Sequence, residues 1–92
     1  MNTSPSLDEY IARIEETCGE EKNIIVHFKY DKKDEATTRI LKKARVEKTI
    51  AGIIFDLKYE NISFRLYMTG KAIFKNLKGR SEAQKVLAEL LL

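Results

Sequence analysis

Residues 51–75, AGIIFDLKYENISFRLYMTGKAIFK, decide the fold, because they predict three strands joined by two tight turns. The middle strand alternates strictly from residue 62 to residue 68, which is typical of a strand with one buried face. Its predicted inward row is Ile62, Phe64, Leu66 and Met68. Its outward row is Ser63, Arg65 and Tyr67. One face of the sheet therefore needs a hydrophobic cover, and the other face is free to contact water or a partner.

The strands on either side continue the same two faces. The apolar run 50–57 predicts a single strand with Ala51, Ile53, Phe55 and Leu57 inward, and Gly52, Ile54 and Asp56 outward. A turn at residues 59–61 ends it. Thr69-Gly70 predicts a two-residue hairpin, with glycine where a positive φ is needed. The strand 71–75 is then predicted to place Ala72 and Phe74 inward, and Lys71, Ile73 and Lys75 outward.

The N-terminal residues 6–18 predict an amphipathic helix. Apolar residues recur at helical spacing along one stripe, and these are Leu7, Tyr10, Ile11, Ile14 and Cys18. Ser6 and Glu9 have the spacing of a capping box, which satisfies backbone N–H groups at a helix start. Gly19 is placed to end the helix in a left-handed conformation.

Three further elements complete the prediction. Residues 23–30 predict a strand with Ile25, His27 and Lys29 on one face. Residues 34–46 predict a helix with Ile40, Leu41 and Ala44 on its apolar stripe and basic residues opposite. After a loop at 76–80, Ser81 is predicted to cap a final helix whose stripe is Ala83, Val86, Leu87, Leu90 and Leu91.

The order α-β-α-β-β-β-α indicates an α+β fold. We expect a curved, four-stranded antiparallel sheet with the helices packed on one face. The crossover helix is expected to place the strand 23–30 beside the strand 71–75. The whole chain, 1–92, is predicted to be a single domain, in which an acidic helix at 1–22 is appended to a unit at 23–92.

Charge is distributed unevenly. Residues 1–23 contain six acidic and two basic residues, whereas residues 24–92 contain fifteen basic and eight acidic residues. The net charges are therefore −4 and +7, and the basic part favours a polyanionic partner. The alternative is that both parts simply present solvated charges.

No catalytic constellation is evident. The chain has one histidine, His27, and one cysteine, Cys18, and it has no glycine-rich phosphate loop. The sequence therefore predicts a non-catalytic protein with no metal and no cofactor. The first residues lack the basic and apolar regions of a signal peptide, and no apolar run approaches the roughly 20 residues that span a bilayer. We expect a cytoplasmic protein with no membrane partner.

From residue 23 onward the pattern resembles one half-repeat of the TATA-binding protein. The resemblance is strongest in LYMTGKAIF (66–74), followed by a loop, RSEAQ (80–84) and a leucine-rich helix, and AGIIFDL (51–57) corresponds to the preceding apolar strand. A similar hairpin and helix occur in the N-terminal domain of ribonuclease HIII. The resemblance implies a half-saddle fold.

In that family the uncovered sheet face binds DNA, which makes duplex DNA or another nucleic acid the expected partner. The resemblance assigns Tyr67 to an aromatic wedge between bases and Lys71 to a backbone contact, with Ile54 and Ile73 meeting the minor groove. Arg65, Lys75 and Lys29 add positive charge on the same face. The chain departs from the family pattern at Ile50, Asp56 and Asn61, where the family has phenylalanine and two arginines.

The family saddle needs two halves, and this chain supplies one. If the strand 23–30 were an exposed edge, a homodimer pairing two such edges would rebuild the saddle. The alternative is that the N-terminal helix covers this edge.

Two functions follow from the open face. The first is nucleic-acid binding, because basic residues with interleaved apolar groups suit backbone contact and stacking. The second is a protein-interaction or assembly module of a transcription or repair system, with Ile25, Ile54, Tyr67 and Ile73 as an apolar patch.

Overall fold

The computed structural model describes residues 7–17, 23–75 and 77–92. In these ranges a short 3-10 helix, Leu7–Glu9, precedes six strands and two helices. The strands are β1 (Ile11–Glu16), β2 (Asn23–Phe28), β3 (Arg45–Ile50), β4 (Ile54–Tyr59), β5 (Ile62–Tyr67) and β6 (Lys71–Lys75). The helices are α1 (Lys33–Lys43) and α2 (Arg80–Leu91). All strand pairs are antiparallel in the order β1-β2-β6-β5-β4-β3, which confirms the α+β class.

The sheet has six strands in the described residues, so the prediction of four is wrong. One additional strand comes from the N-terminal segment, where the predicted helix over 6–18 is wrong. Within the described residues 7–17 only Leu7–Glu9 is helical, and Ile11–Glu16 form β1. Ser6, Cys18 and Gly19 lie outside the described residues, as do the other residues of 1–6 and 18–22.

The second additional strand comes from the region between the first helix and the meander. Helix α1 ends at Lys43, and β3 begins at Arg45, inside the range predicted as helical. The predicted single strand 50–57 is likewise wrong, because the chain turns at residues 51–53. Ala51 and Gly52 both take positive φ, at 56° and 71°, which gives the backbone the twist that a tight hairpin needs. Ala51 and Ile53 are therefore exposed, not inward.

Strand β2 is an inner strand of the sheet. It pairs with β6, as predicted, with Ile24 opposite Phe74 and Val26 opposite Ala72. On its other side it pairs with β1. The expectation of an exposed edge at 23–30 is therefore wrong, and the two outer strands of the sheet in the described residues are β1 and β3.

The core lies between one face of the sheet and both helices. Phe64 and Phe74 stack there, with ring centroids 4.7 Å apart. All five residues of the predicted C-terminal stripe are buried, which confirms it: Ala83, Val86, Leu87, Leu90 and Leu91. Helix α2 begins at Arg80, with Gly79 as its N-cap residue and not Ser81. The Glu82 carboxylate accepts a hydrogen bond from the Lys78 N–H at 3.2 Å.

Basic residues of α1 hold the end of α2. Arg39 donates a hydrogen bond to the Leu91 carbonyl at 3.1 Å, and Lys43 donates one to the Glu89 carbonyl at 2.9 Å. The last carbonyls of a helix have no partner within the helix and carry partial negative charge. These two bases therefore complete α2 and fix the two helices against each other.

The turn between β5 and β6 spans Met68–Gly70, one residue longer than predicted, since Tyr67 pairs directly with Lys71. Gly70 takes the expected positive φ, 111°. A Cβ at this position would lie 3.3 Å from the Lys33 side chain, so the turn also packs closely on α1. Met68 was predicted to point inward, but it lies in the turn and is exposed.

Candidate nucleic-acid interface

The sheet face opposite the helices, called the open face below, is ordered by cross-strand pairing into rows. The first row is His27, Lys71, Tyr67, Ile54 and Ile50. The second row is Glu15, Ile25, Ile73, Arg65, Asp56 and Lys48. Toward the far end of the strands, Asn23 pairs with Lys75, and Arg45 pairs with Lys58. Because neighbouring strands lie about 4.8 Å apart, residues in one row form a continuous surface.

Six of the seven residues predicted for this site come together on the open face: Ile54, Arg65, Tyr67, Lys71, Ile73 and Lys75. Lys29 does not join them. It follows the last residue of β2, and its backbone N–H donates to the Tyr10 carbonyl at 2.8 Å.

Arg65 is held by Asp56 on the neighbouring strand. Its Nε lies 2.7 Å from Asp56 Oδ1, and a second guanidinium nitrogen lies 3.3 Å from Oδ2. This two-point hydrogen bond from Arg65 lowers the pKa of the Asp56 carboxyl, and Lys48 and Lys75 lower it further. The same pair raises the pKa of the Arg65 guanidinium. Both groups are therefore charged at neutral pH and largely compensate each other.

Tyr67, the predicted wedge, is half-buried. The Lys71 ammonium group lies 5.0 Å from the centre of its ring, within the range of a cation–π contact. The pair sits directly across β5 and β6, beside Ile54 of β4. An aromatic ring, an ammonium group and an apolar side chain thus occupy consecutive positions in one row.

The sequence alone shows no partner for His27, and the structure brings this residue to Glu15 of β1. The hydrogen bond with the imidazole lowers the pKa of the Glu15 carboxyl, and Arg13 adds to the effect from 3.6 Å. Sequence reasoning could not find this pair, because the segment containing Glu15 was predicted as a helix.

The charges of the open face divide into two kinds. Three arginines are neutralised by carboxylates: Arg13 by Glu15, Arg45 by Glu47, and Arg65 by Asp56. Four lysines make no ion pair within the described part of the chain, namely Lys48, Lys58, Lys71 and Lys75. The free positive charge of this face is therefore carried by lysines.

Two of these lysines, Lys48 and Lys58, were missed by the sequence prediction. Lys48 lies on β3, a strand that the sequence did not predict, because the helix was expected to run to residue 46 and the next strand to begin at residue 50. Lys58 follows Asp56 by two residues, so the alternation along β4 was the signal that would have placed it on the open face.

A shallow hollow of about 440 Å³ lies in the middle of this face. Its polar wall contains Arg65, Lys75 and Ser63, and Tyr67 and Ile73 supply apolar surface. Asp56 and Glu47 close the side toward β3. The hollow therefore offers both apolar contact and charge to a ligand lying across the strands.

Among residues 7–17, 23–75 and 77–92, no group of three or more acidic, histidine or cysteine side chains is placed to hold a metal ion. Across the same residues, neither helix has the length and apolar character required to span a bilayer. Comparison of the chain with protein-family models, curated proteins and solved structures finds no match.

Proposed function

We propose that the protein is a non-catalytic module that binds nucleic acid on the open face of its sheet. The observation that carries this proposal is the division of charge on that face. Its carboxylates are already satisfied by arginines, while Lys48, Lys58, Lys71 and Lys75 retain their charge for an external anion. Phosphates bind such lysines with release of counterions, which makes the affinity strongly dependent on salt.

The apolar part of the face suits the remainder of a nucleotide. Tyr67, Ile54 and Ile73 are half-buried side chains between the lysines, where sugars and bases can stack or be wedged apart. The sequence resemblance to a half-repeat of the TATA-binding protein supports binding on this face of the sheet, and it makes duplex DNA the first ligand to test. The sequence predicts that Arg65 adds positive charge to this face, but its guanidinium must first leave Asp56 before it can bind a phosphate.

The test is binding to duplex, single-stranded and hybrid oligonucleotides at about 50 and 200 mM salt, where phosphate contacts change affinity most visibly. The double variant Lys71→Glu, Lys75→Glu should weaken binding by about tenfold or more and reduce the salt slope by roughly two. Tyr67→Ala should weaken binding with a nearly unchanged slope, since the loss is one of stacking.

The matched control is Lys42→Glu with Lys85→Glu, which makes the same change of net charge on α1 and α2 rather than on the open face. This control should retain wild-type binding. Equal loss in the control and in Lys71→Glu with Lys75→Glu would show that overall charge, and not the open face, binds the ligand. Binding of the wild type to none of the three oligonucleotides would reject the proposal.

The second candidate function is a protein-interaction module. It is favoured by the apolar pairs that cross the open face, Ile25 with Ile73 and Ile54 with both Tyr67 and Ile50. A protein ligand on this patch should be insensitive to salt, in contrast to a nucleic acid. Tyr67→Ala would then abolish the association, while Lys71→Glu with Lys75→Glu would leave it intact.

A further inference from the structure

The two outer strands carry nearly the same tetrapeptide. Residues 12–15 are Ala-Arg-Ile-Glu, and residues 44–47 are Ala-Arg-Val-Glu. In each, the arginine and the glutamate form an ion pair, at 3.6 Å on β1 and 3.9 Å on β3. In each, the β-branched residue faces the helix side of the sheet, since Ile14 pairs with Val26 and Val46 pairs with Leu57.

On β1 this edge is occupied by the protein itself. Arg80 of α2 donates a hydrogen bond to the Ile14 carbonyl at 2.8 Å and lies 3.7 Å from the Glu16 carboxylate. Ile14 is half-buried against the core. A second strand that approached this edge would have to displace Arg80.

On β3 none of the strands that the structure describes covers the corresponding edge. Five of its six residues are exposed, and 44% of Val46 is accessible to solvent. No side chain in the described part of the chain hydrogen-bonds to the backbone of Arg45–Ile50. An uncovered edge strand offers unpaired N–H and C=O groups to another strand.

We propose that β3 is the contact strand of a homodimer, in which a second copy pairs antiparallel to it around a two-fold axis at Val46. Residues opposite each other in a continuous sheet share a face, so the axis must pass through one residue. Centring on Arg45, Glu47 or Lys48 would place identical charges opposite each other, and centring on Thr49 or Ile50 would pair no opposite charges. Centring on Val46 instead forms two equivalent pairs, in which Arg45 of one copy lies opposite the partner's Glu47. It also brings the two exposed valines together.

The bulge in β3 limits the strength of this dimer. The pairing with β4 shifts between Val46 and Lys48, so the regular part of the edge is short. The contact therefore belongs to the small, weak class of interfaces, with dissociation constants in the micromolar range or above. It would join two open faces into one continuous surface.

Sedimentation of the wild type from about 5 to 500 µM, without nucleic acid, tests this range of affinity. The wild type should shift from monomer to dimer with rising concentration. Val46→Lys should remain monomeric, because it places two ammonium groups at the axis. A wild type that stays monomeric at the highest concentration would overturn the proposal, and this result would leave nucleic-acid binding by the monomer unaffected.

A charge exchange identifies the register. Glu47→Arg should reduce dimerisation by at least about tenfold, since like charges directly opposite are destabilising, and the double variant Arg45→Glu, Glu47→Arg should restore it. A charge reversal on the other edge, Arg13→Glu, should leave dimerisation unchanged. Loss of the dimer in Arg13→Glu, or no rescue in the double variant, would contradict the register. Thermal unfolding of each variant confirms that these exposed positions leave the fold intact.

Discussion

The two faces of the sheet are built from the same strands but are stabilised by different interactions. The helix-covered face is held by apolar contacts, with Val26, Leu66, Ala72 and Phe74 fully inaccessible to solvent. The open face is held by ion pairs and cation–π contacts between strands, such as Arg65 with Asp56. Burial on the first face depends on a residue's place in its own strand. Free charge on the second depends on which strands become neighbours.

Substitutions at adjacent residues of β6 should show the largest difference between the faces. Phe74→Ala should lower the free energy of unfolding by about 3–5 kcal/mol, because it removes a buried ring and leaves a cavity. Lys75→Ala, one residue away on the open face, should change it by less than about 0.5 kcal/mol. Urea denaturation measures both. A similar cost at the two positions would show that the open face is also covered.

The basic residues of the helices should affect stability and not oligonucleotide binding, which is the opposite of what is expected for the lysines of the open face. Arg39→Ala with Lys43→Ala removes both hydrogen bonds to the end of α2 and should cost about 1–2 kcal/mol of stability. Oligonucleotide affinity should stay within about twofold of wild type after correction for unfolded protein. A large loss of affinity at unchanged stability would instead place the ligand on the helices.

The smallest expected effect concerns the ion pair on the open face. Because Arg65 lowers the pKa of Asp56 in the folded protein, the pair stabilises the fold above the unfolded pKa of aspartate and ceases to do so as pH falls through the folded pKa. Asp56→Asn should therefore lower the melting temperature by about 2–4 °C near neutral pH, and by less as the pH falls through the folded pKa of Asp56.

Melting curves of wild type and Asp56→Asn at several pH values measure the difference. The same variant frees Arg65, so it should also bind oligonucleotides more tightly than wild type. A pH-independent difference in melting temperature would show that Asp56 acts through packing and not through its charge.

The central meander and the final helix could be predicted because their patterns are regular. The N-terminal strand could not, because its bulge between Ile11 and Arg13 brings Ile11 and Ile14 to the same face. That i, i+3 spacing is also the spacing of a helix, so the apolar pattern alone cannot distinguish the two.

The β3–β4 hairpin could not be predicted for a different reason. Its turn is made of Ala51, Gly52 and Ile53, and only the glycine is an ordinary turn residue. The β-branched residues Val46, Thr49 and Ile50 were the available signal for β3. Without this strand, the partners of Arg45 and the position of Lys48 could not be inferred, so the charge balance of the open face was only partly predictable.

The thin cover of β3 also has a consequence for motion. Among the described residues this strand pairs on one side only and is largely exposed, whereas β5 and β6 lie in the interior of the sheet. Local opening is easiest where few apolar contacts must be broken. The sheet is therefore expected to fray from this margin inward, while its centre remains the last part to lose protection of its amide hydrogens.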